Sequence, residues 1–208
     1  MSRFSYCAFV AGFVASLTFP VHFAHAVTIV IDGGLGQECY EMTYAVSKGD
    51  PTPPSMTMTG SQVPLGPIEV CTIALREGVL ATHDLAATYN NRGVLYFVQS
   101  SFAEAAADFE DARRLDATIA EVHVNHGATM IALKKWAEGV ASLDKGIALE
   151  PAEIEKAFYN RAIANEELGN VRGAYLDYRK AAELKPDWEQ PRQQLTRFTV
   201  RIVEGPAK

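Results

Sequence analysis

The feature that most constrains this chain is an interval. Gly93 is followed 34 residues later by Gly127 and 35 residues after that by Ala162, and other positions keep the same step: Ala105, Gly139 and Ala174; Phe109, Leu143 and Tyr178; Ala112, Gly146 and Ala181; Ala117, Pro151 and Pro186. Small residues recur where two helices must approach closely, large ones where a core must be filled, and proline where a helix must stop. Between the helical stretches, "VQSSF", "LKKWA" and "LGNVR" place polar or glycine residues before an apolar one (Phe102, Trp136, Val171) that opens a second helix. The unit is therefore a helix-turn-helix, present three times, and its members bury an apolar face only by stacking on one another.

These spacings resemble the tetratricopeptide repeat. Residues 86–119 match through Tyr89, Gly93, Tyr96, Ala105, Phe109 and Ala112; residues 120–153 through Gly127, Met130, Leu143 and Pro151; residues 155–188 through Phe158, Ala162, Ala174, Tyr178, Ala181 and Pro186. The resemblance implies an all-α solenoid of antiparallel helix pairs. The departures are Gly139 and Gly146 for alanine, Ala117 for proline and Asn165 for tyrosine. A glycine inside a helix costs about 1 kcal/mol against alanine, so the middle repeat is expected to be the loosest.

Outside the repeats the pattern weakens. Arg3, the apolar run Cys7–Phe19, Pro20 and the Ala24-His25-Ala26 triplet read as an export leader over residues 1–26 with cleavage after Ala26; a retained anchor is the alternative, although the run is shorter than the roughly 20 residues a membrane span needs. A periplasmic or secreted chain is the expectation. Val27–Ile31 favours a strand, "QECYEMTYAV" a short helix, and residues 49–67, with five prolines and three glycines, a loop. "IEVCTIALREG" then looks like the second helix of a degenerate repeat, which assigns 27–85 to an N-terminal extension. After cleavage Cys39 and Cys71 remain, and an oxidising compartment favours a disulfide between them; two buried thiols are the alternative. Residues 189–208 show apolar residues at helical spacing (Leu195, Phe198, Thr199, Ile202), read as a capping helix and tail, with a basic membrane-surface helix as the other reading.

Composition narrows the function. A net charge of -6 and a sequence pI near 5.4 argue against nucleic acid as the main partner, because phosphate binding needs a basic face. His123 and His126 have a metal-compatible spacing but stand where the other repeats carry Tyr89, Arg92, Phe158 and Arg161, so they read as structural. "GGLG" at Gly33–Gly36 lacks the context of a phosphate loop, and no acid, base and nucleophile set stands out. The expectation is a non-enzymatic protein without cofactor or metal.

The resemblance implies that the first helix of each unit lines a concave groove. Carried over residue by residue, that strip comprises Ala87, Asn90, Val94, Phe97 and Val98; Glu121, Val124, Ala128, Ile131 and Ala132; Lys156, Tyr159, Ile163, Glu166 and Glu167. Asn91, Asn125 and Asn160 share the sixth position of their units, where an amide can bond a peptide backbone or fix adjacent helices. Of the residues that grip a C-terminal carboxylate in some relatives, Asn125 and Lys156 fit, whereas Asn90, Val94 and Asn160 do not. The expected function is a protein-interaction module that takes a peptide or helix on this strip; the alternative is a stabilising or self-associating envelope component whose groove is filled by its own chain.

Overall fold

The computed structural model describes residues 5–11, 34–49 and 65–204. Three helix pairs carry the repeats: α3 (Thr82–Val98) with α4 (Phe102–Leu115), α5 (Ala120–Ala132) with α6 (Trp136–Ala148), and α7 (Ile154–Glu167) with α8 (Val171–Leu184). Each second helix begins on the apolar residue expected to open it. The turn before it has a left-handed residue at the same repeat position in all three units, Ser100, Lys134 and Gly169, with φ of 62°, 59° and 75°. Glycine adopts that region freely; serine and lysine are strained there.

An earlier pair, α1 (Gly34–Ser47) and α2 (Pro67–Glu77), packs on α3 and acts as the degenerate fourth unit. Cys39 and Cys71 form a disulfide, with Cα atoms 4.7 Å apart, inside a small core with Met42, Val70 and Leu95. Pro67 belongs to α2 rather than to the expected loop, because the first helical position needs no N–H donor. Residues 50–64 of that loop, and the strand expected at Val27–Ile31, lie outside the described residues.

The C-terminal segment departs from expectation. The helix α9 stops at Leu195 (Glu189–Leu195), and β2 (Phe198–Glu204) pairs antiparallel with β1 (Ser5–Ala11), Ser5 opposite Glu204 and Ala11 opposite Phe198. The segment "FTVRIV" alternates apolar and polar residues and is rich in β-branched side chains, and this period-2 pattern prevails over the helical spacing. The end of the stack is still covered: Trp188, Leu195 and Phe198 pack against the core of the last repeat. β1 lies within the expected leader. Among the described residues, no helix is long and apolar enough to cross a membrane.

Candidate functional site

Each repeat ties its two helices together at the same place. In the first unit Arg92 donates through Nε and Nη2 to both carboxylate oxygens of Asp108, at 2.8 and 2.7 Å; in the third Arg161 does the same to Asp177, at 2.9 and 2.7 Å. Hydrogen bonding to the buried carboxylate raises the pKa of both guanidinium groups. In the middle unit the equivalent pair is neutral, His126 Nδ1 sharing a 2.8 Å hydrogen bond with Ser142 Oγ. The sequence carried a signal for these pairs, since Arg92/Asp108, His126/Ser142 and Arg161/Asp177 are all 16 residues apart.

Two further departures from the repeat pattern acquire reasons. Asn165 donates to Asp177 Oδ2 at 3.1 Å and accepts from Asn170, the residue that caps α8, so the amide extends the Arg161 network. At Ala117 the chain turns without proline because Asp116 accepts from the Thr118 amide and hydroxyl at 2.9 and 2.6 Å. Those bonds, the hydroxyl first, and one from His83, hold the Asp116 pKa at about 2.

The glycines of α6 correct a sequence expectation. A Cβ on Gly146 would lie 2.7 Å from Val124 Cγ2 and 3.2 Å from Val124 N; one on Gly139 would lie 2.9 Å from Ile131 Cγ1. The glycines therefore let α5 press onto α6, and the middle repeat is closely packed, not loosened, at these two positions.

The same contacts change the meaning of the concave strip. Val124 and Ile131 are buried against α6, and Tyr159, fully buried, stands edge-on to Tyr178 at 5.4 Å and near Trp188 at 4.9 Å. Burial raises the pKa of the Tyr159 hydroxyl. Asn90, Asn91, Val94, Asn125 and Asn160 are each 0% exposed and Ile163 is 3% exposed. Asn125 donates to Asn90 Oδ1 at 3.0 Å, joining α5 to α3. Lys156 is held by Glu153 at 2.6 Å and Glu166 by Arg197. Both residues that fit the carboxylate-gripping pattern are thus engaged within the chain. Phe97 is half-buried against Phe102, and Val98 is half-exposed at the end of α3. The expectation that Val94, Val124, Ile131, Tyr159 and Ile163 face away from their neighbours is incorrect, because they fill the interior between stacked helices.

His123 Nε2 meets the Ala117 carbonyl at 2.9 Å, so the two histidine rings of α5 serve different partners. Burial, the largest cause in each, lowers both pKa values.

The fold is that of stacked tetratricopeptide repeats. The structure is similar to the crystal structure of MamA (TM-score 0.59, 19% identity, 79% of this chain and 82% of that one) and to the first tetratricopeptide domain of Spaghetti (RPAP3) bound to an HSP90 peptide (TM-score 0.51, 24% identity, 53% and 87%). In sequence, 122 residues are 26% identical to protein unc-45 homolog B of Mus musculus, taking in 57% of this chain but 13% of that protein's length. No family model matches.

Proposed function

We propose that the protein is an exported protein-interaction module that holds its partner outside the buried concave strip. The fold and its relatives support the interaction role. The observation that carries the location of binding is the 0 to 3% exposure of Asn90, Val94, Val124, Ala128, Ile131, Tyr159 and Ile163, since a peptide platform needs accessible side chains. Among the accessible apolar residues, Leu149, just after α6, and Leu184, at the end of α8, share a repeat position and are 41% and 42% exposed. Export is supported by the apolar run near Arg3 and by the Cys39–Cys71 bond, which an oxidising compartment sustains.

The test is capture from the cell envelope with wild-type and variant protein. Leu149→Asp with Leu184→Asp is expected to lose the partner, and Asn125→Ala to keep it. A second reading places a peptide at the open end of the strip, where Phe97 and Val98 retain exposure; loss of the partner in Phe97→Ala alone establishes that reading instead. Export is checked separately by N-terminal sequencing, expected to begin at Val27, and by thiol counting before reduction, expected to find none free.

A further inference from the structure

The C-terminal strand is paired with a segment that export is expected to remove. Among the described residues β2 (Phe198–Glu204) has one strand partner, β1 (Ser5–Ala11), and β1 lies within the expected leader, residues 1–26. Loss of the leader leaves β2 without a strand partner on either edge, and an open edge is a template for another strand.

The alternation of β2 defines what fits that edge. Phe198, which packs against the core of the last repeat, shares a face of the strand with Val200 and Ile202, while Thr199, Arg201 and Val203 take the other. β1 sets Ala11, Phe9 and Cys7 opposite the first three. The run Val27–Ile31 follows directly on the expected cleavage point and has the same period. In the register of β1, Ile31 comes opposite Phe198, Ile29 opposite Val200 and Val27 opposite Ile202, with Thr28 opposite Arg201 and Val30 opposite Thr199. Each apolar residue of the Phe198 face then meets a β-branched one, the type that best fits a pleated surface.

The donor has to come from another molecule. Val27–Ile31 runs into α1 at Gly34, in the first unit, whereas the strand pair stands beside α8 in the last; the first helices α1, α3, α5 and α7 stack in that order between them. The three residues from Ile31 to Gly34 reach about 11 Å at most. Three steps between neighbouring helices, at about 8–10 Å each, separate the two ends by roughly 25–30 Å. Pairing of β2 with itself is a poorer match. A register that keeps Phe198, Val200 and Ile202 on one face sets the two copies of Arg201 directly opposite or diagonal to each other, and like charges so placed repel.

We propose, resting on the export reading above, that removal of residues 1–26 vacates β2 and that Val27–Ile31 of a second copy takes the place of β1. Each mature chain then carries a donor strand at one end of its stack and an acceptor at the other, so the contact propagates along a chain of molecules or closes as a ring. Until it is removed, the leader strand blocks this assembly.

The full chain is expressed with its leader and recovered from the cell envelope; its N-terminus is sequenced and its mass measured by light scattering after size exclusion. Protein that begins at Val27 is expected to be oligomeric. Ile29→Asp, outside the three repeats, is expected to return it to monomer with its helical circular dichroism unchanged. Ile29→Cys protein mixed with Val200→Cys protein is expected to form a disulfide between the two, because facing residues of an antiparallel pair lie about 4.5–5.5 Å apart at Cα. Thr28→Cys, on the opposite face, is expected to give none. A monomer that begins at Val27, an oligomer that persists in Ile29→Asp, links between two Val200→Cys chains, or equal linking by Thr28→Cys overturns the strand exchange and leaves export standing. Protein that keeps residues 5–11 overturns the export reading, and the exchange with it.

Discussion

In the third repeat, Arg161 grips Asp177 with two charged hydrogen bonds, Asn165 joins the same carboxylate, and alanines stand at both close contacts between the helices, Ala174 and Ala181. In the middle repeat the same places hold the neutral His126–Ser142 pair and Gly139 and Gly146, onto which Ile131 and Val124 press. Both units build a helix pair of the same shape. The third obtains its register from a bidentate ion pair and alanine spacing, the middle one from closer backbone approach and side-chain volume supplied by the opposite helix.

The contrast can be broken most severely at the ion pair. Arg161→Ala leaves Asp177 largely buried without its cation, and about 3 kcal/mol of stability is expected to go. His126→Ala removes one neutral hydrogen bond and is expected to cost only about 1 kcal/mol. Urea unfolding of the two variants measures the difference, and equal losses mean that the charge contributes nothing special.

Next is the glycine contact. Gly146→Ala is expected to lower stability by about 2 kcal/mol despite its better helix propensity, because the new methyl meets the side chain and backbone of Val124. Val124→Ala in the same chain is expected to recover part of the loss, and a double-mutant cycle separates the two effects. A raised thermal midpoint in the single variant refutes the close-packing account.

A smaller effect distinguishes the units by pH. The folded-state pKa values of His123 and His126 are lowered from 6.5, so the unfolded chain takes up protons before the folded one does. Their contribution to stability is complete above about pH 6.5 and is lost as the pH falls through the lowered values. The thermal midpoint is expected to fall from pH 7 to pH 5, and less so in the double variant His123→Phe, His126→Gln. The lowered Asp116 value adds a separate loss below pH 3.8, towards about 2.

The smallest expected effect is at the turns. Lys134 holds the left-handed conformation that Gly169 holds in the third repeat. Lys134→Gly is expected to gain about 0.5 kcal/mol, the relief of strain exceeding glycine's greater unfolded-state freedom, whereas Gly169→Lys is expected to lose stability.

Much of the architecture was legible in the residues themselves. The 34-residue step, the prolines at Pro151 and Pro186 and the apolar residues after each turn act within one or two helices, and local periodicity reports such features directly. The pairing of Cys39 with Cys71 was legible for another reason: only two cysteines remain if residues 1–26 are set aside as the expected leader. Tertiary structure decided the rest. Whether Val124, Ile131 and Tyr159 form a groove or a core depends on how the facing helix is built, on Gly146 and Gly139 in one unit and on Tyr178 and Trp188 in another. The segment after Leu195 carries both a helical and an alternating pattern, and in the chain that retains residues 5–11, pairing with β1 makes it a strand. Helix periodicity is a property of neighbouring residues, but burial is a property of what arrives from elsewhere in the chain, which is why the sequence determined the helix pairs and only their packing determined which side chains remain available to bind.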